Sequence, residues 1–387
     1  MLFGLFFVGW RCISRAGFIM VVLFPFLGDS LGGSHIAALN SIRCISAQGY
    51  DVLVGVHHEG VLSRYFDSQG IAWKKLPPVV FPRSAGRLRE LFFTLRALIP
   101  LLVFLIKNHV RIVHTNDMRM HLAWLASARL AGCQHIWHQR SVIRARRYAI
   151  LARVACKRVS VSRFVTQSFS RFGTNVPYQL YDAVSVFAAA NHIAAAKNFF
   201  ATKGGGRDVS VVSWVANYTA VKRPLLFVDI AKKVIETSSR SVVFAMFGDP
   251  RDMAVEVRAA IERSGLGGAC LMMGVKTPIA PWIAASDVLV ATAEGEGLGL
   301  TLIEAMMLGT PVVAANSGGH SEIITDRVTG RLVQSDVSDD FATAILELLD
   351  EPELAAGLAS SALSFASEVF SLEVHDKNIA SIYKVAL

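Results

Sequence analysis

The chain has 387 residues, more than one ordinary domain holds, and its length fits two α/β domains of typical size. Hydrophobic residues make up 53% of it and charged residues only 18%, which excludes disorder and favours sheets covered on both faces. Residues 1–185 hold 23 Lys and Arg against 7 Asp and Glu, whereas residues 186–387 hold 16 against 23. So basic a first half predicts an anionic partner, either a membrane surface, a phosphorylated acceptor or nucleic acid; the alternative is a generally basic protein.

The cysteines and histidines show no metal-binding spacing. Neither a CxxC nor an HExxH pattern occurs among the 5 Cys and 11 His, so we expect no structural metal. We predict that the cysteines are reduced core residues of a cytoplasmic protein. They are Cys12, Cys44, Cys133, Cys156 and Cys270.

Residues 1–19 are apolar, but Arg11 and Arg15 interrupt them. The stretch is short for a spanning helix and has no clear small-residue cleavage site. We interpret it as a start-site extension that precedes a start at Met20, with a weak membrane anchor as the alternative.

A βαβ unit with a glycine-rich turn is predicted next. Residues 21–26 and 50–56 read as strands and residues 36–48 as the helix between them. The turn contains Gly32 and Gly33 but lacks the dinucleotide-binding fingerprint. These glycines either permit a tight turn or let a substrate phosphate or sugar approach the backbone.

Residues 83–107 are both basic and strongly apolar. Such a helical segment resembles one that lies in a membrane interface. Its apolar part is short for a span, and Pro100 is predicted to break it. An ordinary core helix is the alternative.

Polar residues end two predicted strands, at His114 and Asp117 and at His138 and Arg140. Because side chains at the carboxyl ends of parallel strands share one edge of the sheet, these four could line one site. The alternative for each is a satisfied loop residue. Residues 144–158 are arginine-rich and read as a helix that adds to the basic surface.

The composition changes after Asp182, and Lys203-Gly-Gly-Gly-Arg207 reads as flexible. We therefore predict a first domain over residues 20–185, a linker over 186–207 and a second domain over 208–368. A C-terminal helix over 369–387 could pack back on the first domain.

The most informative stretch is a glycine-rich turn over residues 294–299, between a buried strand and a helix over 300–308. A helix N-terminus beyond the carboxyl edge of a sheet suits an anionic ligand such as a diphosphate. Glu296 lies in the turn and Glu304 follows in the helix, and carboxylates accept hydrogen bonds from sugar hydroxyls. A capped surface helix with solvated glutamates is the alternative.

These residues resemble the signature of the retaining nucleotide-sugar glycosyltransferases of family 4, a Glu, seven residues and a second Glu. Glu296 and Glu304 match it in the context EG-x-G-L-x-L-x-E-A-M, and residues 309–314, 317–324 and 329–333 follow the pattern downstream. The resemblance covers roughly residues 20–385 and is most specific within 283–333. It implies an α/β architecture of two Rossmann-like, doubly wound parallel-sheet domains that face each other across a cleft, the GT-B type.

The resemblance also implies an activity, the transfer of a sugar from a nucleoside diphosphate to an acceptor with retention at the anomeric carbon. Glu296 would contact the sugar ring, His138 the transferred sugar or the acceptor, and Lys222 the diphosphate; these are the candidate catalytic residues. Because Lys and Arg supply the positive charge, no metal or other cofactor is expected. The donor-side candidates are Glu304, Arg223, Gly297, Leu298, Gly299, Leu300 and Gly248. The acceptor-side or phosphate-side candidates are Gly32, Gly33, His114, Asp117 and Arg140.

One departure from the family concerns an arginine that usually stands several residues before the lysine. Residues 216–221 contain none, so either Arg223 substitutes for it or phosphate stabilisation is weaker.

The sequence therefore predicts a glycosyltransferase of class EC 2.4 in cell-surface polysaccharide or lipopolysaccharide synthesis. It would be cytoplasmic, peripheral at the membrane, with a saccharide or lipid-linked acceptor and no nucleic-acid partner. A nucleotide-sugar epimerase and a non-catalytic nucleotide-sugar-binding or nucleic-acid-binding protein are the alternatives. The basic half disfavours the epimerase, which needs no second substrate, and sparse aromatic residues disfavour nucleic acid.

Overall fold

The computed structural model describes residues 20–80, 87–206, 208–334 and 336–384, without the side chains of residues 87–94. It divides into two compact units. One contains the described residues up to Ala183 and those from Leu372 onward, and the other is Val184–Ser371. The predicted extension or anchor over residues 1–19 lies outside the described residues, as do the start of the basic apolar segment at Arg83 and the end of the predicted linker at Arg207.

The first unit is built on a seven-stranded parallel sheet with the order β3-β2-β1-β4-β5-β6-β7. Its strands are β1 (Val21–Phe26), β2 (Asp51–Val56), β3 (Lys74–Lys75), β4 (Val110–Thr115), β5 (Gln134–Gln139), β6 (Lys157–Ser160) and β7 (Tyr178–Gln179). The connecting helices are α1 (Gly33–Ala47), α2 (Val61–Ser68), α3 (Arg87–Lys107), α4 (Met118–Leu130), α5 (Arg146–Ala152) and α6 (Arg163–Ser170). The strand order reverses between β1 and β4, which pair directly. In doubly wound sheets ligands bind beyond the strand ends at this point.

The second unit repeats the plan with a six-stranded parallel sheet, in the order β10-β9-β8-β11-β12-β13. Its strands are β8 (Ser210–Val215), β9 (Val242–Phe247), β10 (Cys270–Gly274), β11 (Val288–Ala291), β12 (Val312–Ala315) and β13 (Arg331–Val333). Its helices are α7 (Ala190–Gly204), α8 (Pro224–Thr237), α9 (Ala254–Arg263), α10 (Ala280–Ala284), α11 (Leu300–Met307), α12 (His320–Ile323), α13 (Ser338–Asp350) and α14 (Pro352–Phe370). Here the order reverses between β8 and β11. The prediction of two doubly wound parallel sheets is confirmed.

The last helix, α15 (Leu372–Tyr383), packs against α1 of the first unit. Ser41 Oγ donates to His375 Nε2 at 3.0 Å, and Gln48 Nε2 donates to Asp376 Oδ1 at 2.7 Å. Tyr383 is fully buried in the same core as β1. The chain therefore returns to its first unit at the end.

Pro352–Tyr383, which contains α14 and α15, is the one stretch among the described residues that is long and apolar enough to cross a membrane, by length and composition only. Leu358 on α14 is buried in the core of the second unit, and Ile379 on α15 in that of the first. Burial in two cores is the pattern of core helices in a folded domain.

The predicted linker over residues 186–207 is largely helical. It contains α7, on which Ala196 and Phe200 are buried against strand residues of the second unit. The two positions are one helical turn apart and form a short apolar stripe among small residues, which is too weak a pattern to mark a packed helix. The division between the units falls instead at Val184.

Three further expectations differ from the structure. Helix α3 continues through Pro100, and both Pro100 and Arg96 are exposed, so the Arg96 carbonyl that loses its helical partner faces the surface. The arginine-rich helix ends at Ala152, and Lys157 already belongs to β6. Cys156 is exposed, whereas Cys44, Cys133 and Cys270 are free and buried as expected; Cys12 lies outside the described residues.

Candidate functional site

The loops that follow β8 and β11 meet at the carboxyl edge of the second sheet. After β8 the chain forms a short 3₁₀ turn, Ala220–Lys222, and Arg223 then adopts a left-handed φ of 51°. Thr292, just beyond β11, donates from its hydroxyl to the Lys222 carbonyl at 2.7 Å and accepts from Trp214 Nε1 at 2.9 Å. Glu294 N also donates to the Val221 carbonyl at 2.8 Å. These bonds fix the backbone that carries Lys222.

Lys222 and Glu296 form an ion pair between the two loops. Both side chains are largely buried. Burial alone would raise the pKa of Glu296, but the charge and hydrogen bond of Lys222, with a smaller contribution from His320, hold that pKa below its ordinary value. Glu296 is therefore ionised at neutral pH, and the pair that the sequence predicted as catalytic residues is brought into contact.

Arg223 lies beside this pair on the same turn. Its Nε donates to the Thr292 carbonyl at 2.6 Å. Its Nη2 is buried without a hydrogen-bond partner among the residues that the structure describes. The guanidinium is thus half committed to the backbone and retains donor capacity, which fits the suggestion that Arg223 substitutes for the absent arginine.

A second turn, which follows β12, supports the glycine-rich turn. Gly319 N donates to the Glu296 carbonyl at 2.8 Å, and Gly295 N donates to Ser317 Oγ at 3.0 Å. A Cβ on Gly318 would lie 2.5 Å from the Glu296 carbonyl oxygen, and φ there is +64°. Only glycine permits this approach, so Gly318 sets the height of the Glu296 backbone.

His320 is a member of the site that the sequence analysis missed. It is buried, its Nδ1 donates to the Ala315 carbonyl at 3.1 Å, and burial lowers its pKa to about 4. Its ring lies so close to Gly299 that a Cβ there would come within 3.0 Å of Cδ2. The motif Ser317-Gly-Gly-His320 contained this signal, but nothing in the spacing showed that the histidine meets the turn.

Helix α11 begins directly after Gly299, whose φ is +106°. Glu304 lies in the second turn of the helix, and burial raises its pKa to about 7. Leu298 is buried and anchors the turn, while Leu300 is the first helical residue. The N-terminus of α11 is thus flanked by the Lys222–Glu296 pair on one side and a carboxyl group on the other.

Two other donor-side candidates are placed at the same sheet edge. Gly248 ends β9 with φ +129°, and a Cβ there would lie 2.0 Å from the Ala216 carbonyl oxygen after β8. Glycine is required for this close approach of two loops. Gly297 is buried within the glycine-rich turn. Their contact with a donor stays a prediction.

In the first unit the structure brings His114, His138 and Arg140 together at the ends of β4 and β5. His114 Nε2 lies 3.1 Å from His138 Nδ1, and Arg140 Nη2 lies 3.5 Å from that nitrogen. Arg140 also forms a buried ion pair with Asp182 and donates to Asn116 Oδ1 at 3.1 Å. Burial lowers the pKa of Arg140 to about 9, which leaves it charged at neutral pH.

The remaining acceptor-side candidates are structural in the first instance. Asp117 caps α4, because its carboxylate accepts from Arg119 N at 2.9 Å and from Met120 N at 3.1 Å. Gly32 has an extended φ of −159° and precedes Gly33, the first residue of α1. That φ suits any residue, so Gly32 is not required for a tight turn. The other interpretation, close approach of a substrate, stays a prediction.

Comparison with known families identifies the second unit. Residues 209–351 match the family described as Glycosyl transferases group 1. This range contains both loops of the Lys222–Glu296 pair and the whole of α11. The chain therefore contains a glycosyltransferase group 1 domain, and the predicted resemblance and enzyme class are confirmed at the level of this domain.

Curated relatives match part of the chain. The lipopolysaccharide core biosynthesis mannosyltransferase LpsB of Rhizobium meliloti is 36% identical over 134 residues, which are 33% of this chain and 37% of that protein. D-inositol 3-phosphate glycosyltransferase 2 of Catenulispora acidiphila is 32% identical over 169 residues, 41% of this chain and 40% of that protein. The matched regions thus span well under half the length of these two relatives.

Solved structures resemble the chain over nearly all of its length. Anabaena Alr3699/HepE, solved in complex with UDP-glucose, has a TM-score of 0.80 at 20% identity and covers 94% of this chain and 99% of its own. S. aureus TarM has a TM-score of 0.76 at 13% identity, with 96% and 100% covered. At such identities the likeness concerns the fold alone, and the fold is the GT-B type.

Proposed function

We propose that the protein is a retaining glycosyltransferase, which moves a sugar from a nucleoside diphosphate to a saccharide or lipid-linked acceptor. The observation that carries the proposal is the contact of Lys222 with Glu296 at the N-terminus of α11, two turns before Glu304. A cation, an ionised carboxylate and a helix N-terminus match, in that order, the diphosphate, the sugar hydroxyls and the phosphate oxygens of one donor.

Each part of the donor is assigned to a group in the second unit. The ribose hydroxyls donate to the Glu304 carboxylate, and the diphosphate lies against the N-terminus of α11. Lys222 and Arg223 face the phosphate oxygens, and the sugar hydroxyls donate to Glu296. The complex of Anabaena Alr3699/HepE with UDP-glucose, which shares the fold, supports a nucleotide-sugar donor.

The chemical step breaks the bond between the anomeric carbon and a diphosphate oxygen. The electron pair leaves with the diphosphate, while the acceptor hydroxyl forms the new bond and loses its proton. Lys222 and Arg223 stabilise the charge that develops on the leaving group, and they are held by the Glu296 pair and the Thr292 carbonyl. We infer retention of configuration from the resemblance of the Glu296–Glu304 spacing to retaining enzymes.

We propose that the reaction needs no metal. Among the described residues no group of three or more His, Cys, Asp or Glu could hold a metal ion. The positive charge that metals supply in other transferases comes here from Lys222, Arg223 and the helix N-terminus. Transfer measured in EDTA is expected to match transfer without it, and a rate restored only by Mg²⁺ or Mn²⁺ would contradict this part of the proposal.

Helix α3 supports a location at an anionic membrane surface. Four apolar side chains one helical turn apart are exposed on one face: Leu95 (57%), Ile99 (69%), Val103 (41%) and Ile106 (60%). Exposed Arg96 and Lys107 lie on the same helix. An exposed apolar stripe flanked by basic residues is the pattern of an interfacial helix. We therefore place the protein at the cytoplasmic membrane face, where a lipid-linked acceptor would lie.

A role in cell-surface polysaccharide or lipopolysaccharide synthesis follows from this location and from one relative. LpsB of Rhizobium meliloti is described as a lipopolysaccharide core biosynthesis mannosyltransferase. An acceptor of that kind is anionic, in agreement with the basic first half of the chain.

A transfer assay tests the proposal. Purified protein is incubated with UDP-linked and GDP-linked sugars, with and without membrane lipid extract, and product and anomeric configuration are followed by mass spectrometry and NMR. We expect acceptor-dependent transfer with an unchanged configuration. Epimerised donor without acceptor would indicate the epimerase, binding without turnover a non-catalytic protein, and an inverted product would contradict retention.

A further inference from the structure

The buried histidines of the first unit form a chain of contacts with the last helix. The Tyr383 hydroxyl on α15 contacts His114 Nδ1, and His114 Nε2 lies 3.1 Å from His138 Nδ1. All three side chains are fully buried. Burial holds the pKa of both histidines well below its ordinary value and that of Tyr383 well above. Both rings are therefore neutral, and the hydroxyl is protonated.

Arg140 fixes the direction of the hydrogen bonds in this chain. A guanidinium can only donate, and Arg140 Nη2 faces His138 Nδ1 at 3.5 Å. His138 Nδ1 is therefore the acceptor, and the hydrogen between the rings lies on His114 Nε2. A neutral ring protonated at Nε2 accepts at Nδ1, so His114 accepts from Tyr383. By the same rule, His138 carries its own hydrogen on Nε2.

Both ends of the chain are anchored. Arg140 is held by its ion pair with Asp182 and its bond to Asn116 Oδ1. At the other end, Lys157 Nζ donates to the carbonyl of Ile382, next to Tyr383. Neither the cation nor the hydroxyl can turn away without breaking buried polar contacts, which makes the direction of the chain a fixed property of the fold.

We propose that Tyr383 is a positioning residue, which acts through His114 to hold His138 as the Nε2–H tautomer, a hydrogen-bond donor presented to a sugar oxygen of the substrate. His138 Nε2 is buried and has no hydrogen-bond partner in the part of the chain that the structure describes. A buried N–H that lacks a protein partner is rare and is typical of a group that meets a ligand. The substrate in this proposal rests on the proposed glycosyltransferase function; the tautomer does not.

Long-range ¹H–¹⁵N NMR of the full chain, labelled at its histidine nitrogens, measures the tautomer directly. The His138 signals are assigned by their loss in His138→Asn. We expect a protonated Nε2 and a bare Nδ1. A proton on Nδ1 overturns the proposal whether or not the protein transfers sugar, and a protein without transferase activity but with Nε2–H would defeat only the proposed function.

Tyr383→Phe tests the positioning role, since it removes only the hydroxyl. We expect His138 to become a mixture of tautomers and kcat for transfer to fall about tenfold, with the donor KM within about twofold. Tyr50→Phe is the matched control, because the Tyr50 ring packs on Tyr383 at 5.4 Å and its hydroxyl donates to the Tyr383 carbonyl at 3.3 Å. An unchanged tautomer in Tyr383→Phe, or an equal loss of kcat in Tyr50→Phe, overturns the proposal.

Discussion

Lys222 and Glu296 hold each other's charge in place at the end of the second sheet. A preorganised cation stabilises a developing negative charge without the cost of reorienting solvent, and this is the largest single contribution in many enzymes. The same contact suits Glu296 to follow the sugar, because a donor that draws Lys222 towards its phosphates leaves the carboxylate to accept from hydroxyls.

Replacement of Lys222 measures this contribution. We expect Lys222→Ala to lower kcat by about 10²–10³-fold, the range seen when a single stabilising donor is removed. Lys233→Ala is the control, since Lys233 is exposed and pairs with Asp339 on the surface. Steady-state kinetics and the melting temperature are measured for both. Turnover near that of the wild type in Lys222→Ala would rule out the assigned role.

Glu304 predicts a pH dependence of nucleotide binding. Burial raises its pKa from 4.5 to about 7, and the ribose hydroxyls favour the ionised form. Binding therefore draws on a deprotonated group, and we expect affinity for the nucleoside diphosphate to fall up to about tenfold between pH 8 and pH 6. In Glu304→Gln this part of the dependence is absent, whereas titration of the nucleotide phosphate remains. Calorimetry at both pH values decides, and parallel profiles would contradict the assignment.

The same raised pKa has a consequence for stability. Because the folded pKa lies above the unfolded one, the protonated carboxyl contributes stability that is fully present below about pH 4.5 and is lost as the pH rises through 7. Considering this group alone, Glu304→Gln removes the penalty. The variant is therefore expected to melt higher than the wild type at pH 8, with little difference at pH 5.

At the scale of elements, two turns hold the site, the glycine-rich turn before α11 and the turn before α12. Their packing depends on glycines that let one backbone rest on another. Gly318→Ala would push a methyl group against the Glu296 carbonyl at a left-handed φ, so we expect a loss of stability of about 1–3 kcal/mol and weaker donor binding.

Gly357→Ala is the matched control for this change. Gly357 lies within α14, and a Cβ there meets no atom within 4 Å. We expect it to stabilise the protein by up to about 1 kcal/mol, because alanine is the better helix former. Urea unfolding of both variants compares them. A Gly318→Ala variant as stable as the wild type, with normal donor affinity, would show that the two turns do not depend on this approach.

The sequence predicted the elements of this fold better than their contacts. Buried runs such as Val242–Phe247 and the turn around Glu296 have local patterns, so the parallel sheets and α11 could be predicted. The pairing of Tyr383 with His114 joins residues 269 positions apart, and no local pattern encodes it. The contact of Lys222 with Glu296 was suggested by family resemblance rather than by spacing.

At the scale of the whole molecule, the basic charge of the first half and the apolar stripe of α3 (Leu95, Ile99, Val103 and Ile106) predict binding to anionic membranes. We expect Ile99→Glu with Ile106→Glu to reduce sedimentation with phosphatidylglycerol vesicles at least fivefold, since both side chains are exposed and apolar. Val255→Glu is the control, because Val255 is 78% exposed on the second unit. Equal vesicle binding by all three proteins would contradict the membrane assignment.

The central claim, that the Lys222–Glu296 pair at α11 is a nucleoside-diphosphate site, is tested most directly by calorimetric titration. Wild-type protein and Lys222→Ala are each titrated with a nucleoside diphosphate and with the monophosphate of the same base, chosen from the donor that is active in transfer. The wild type is expected to bind the diphosphate at least about tenfold more tightly, and Lys222→Ala to bind the two alike. An undiminished preference for the diphosphate in Lys222→Ala would contradict the claim.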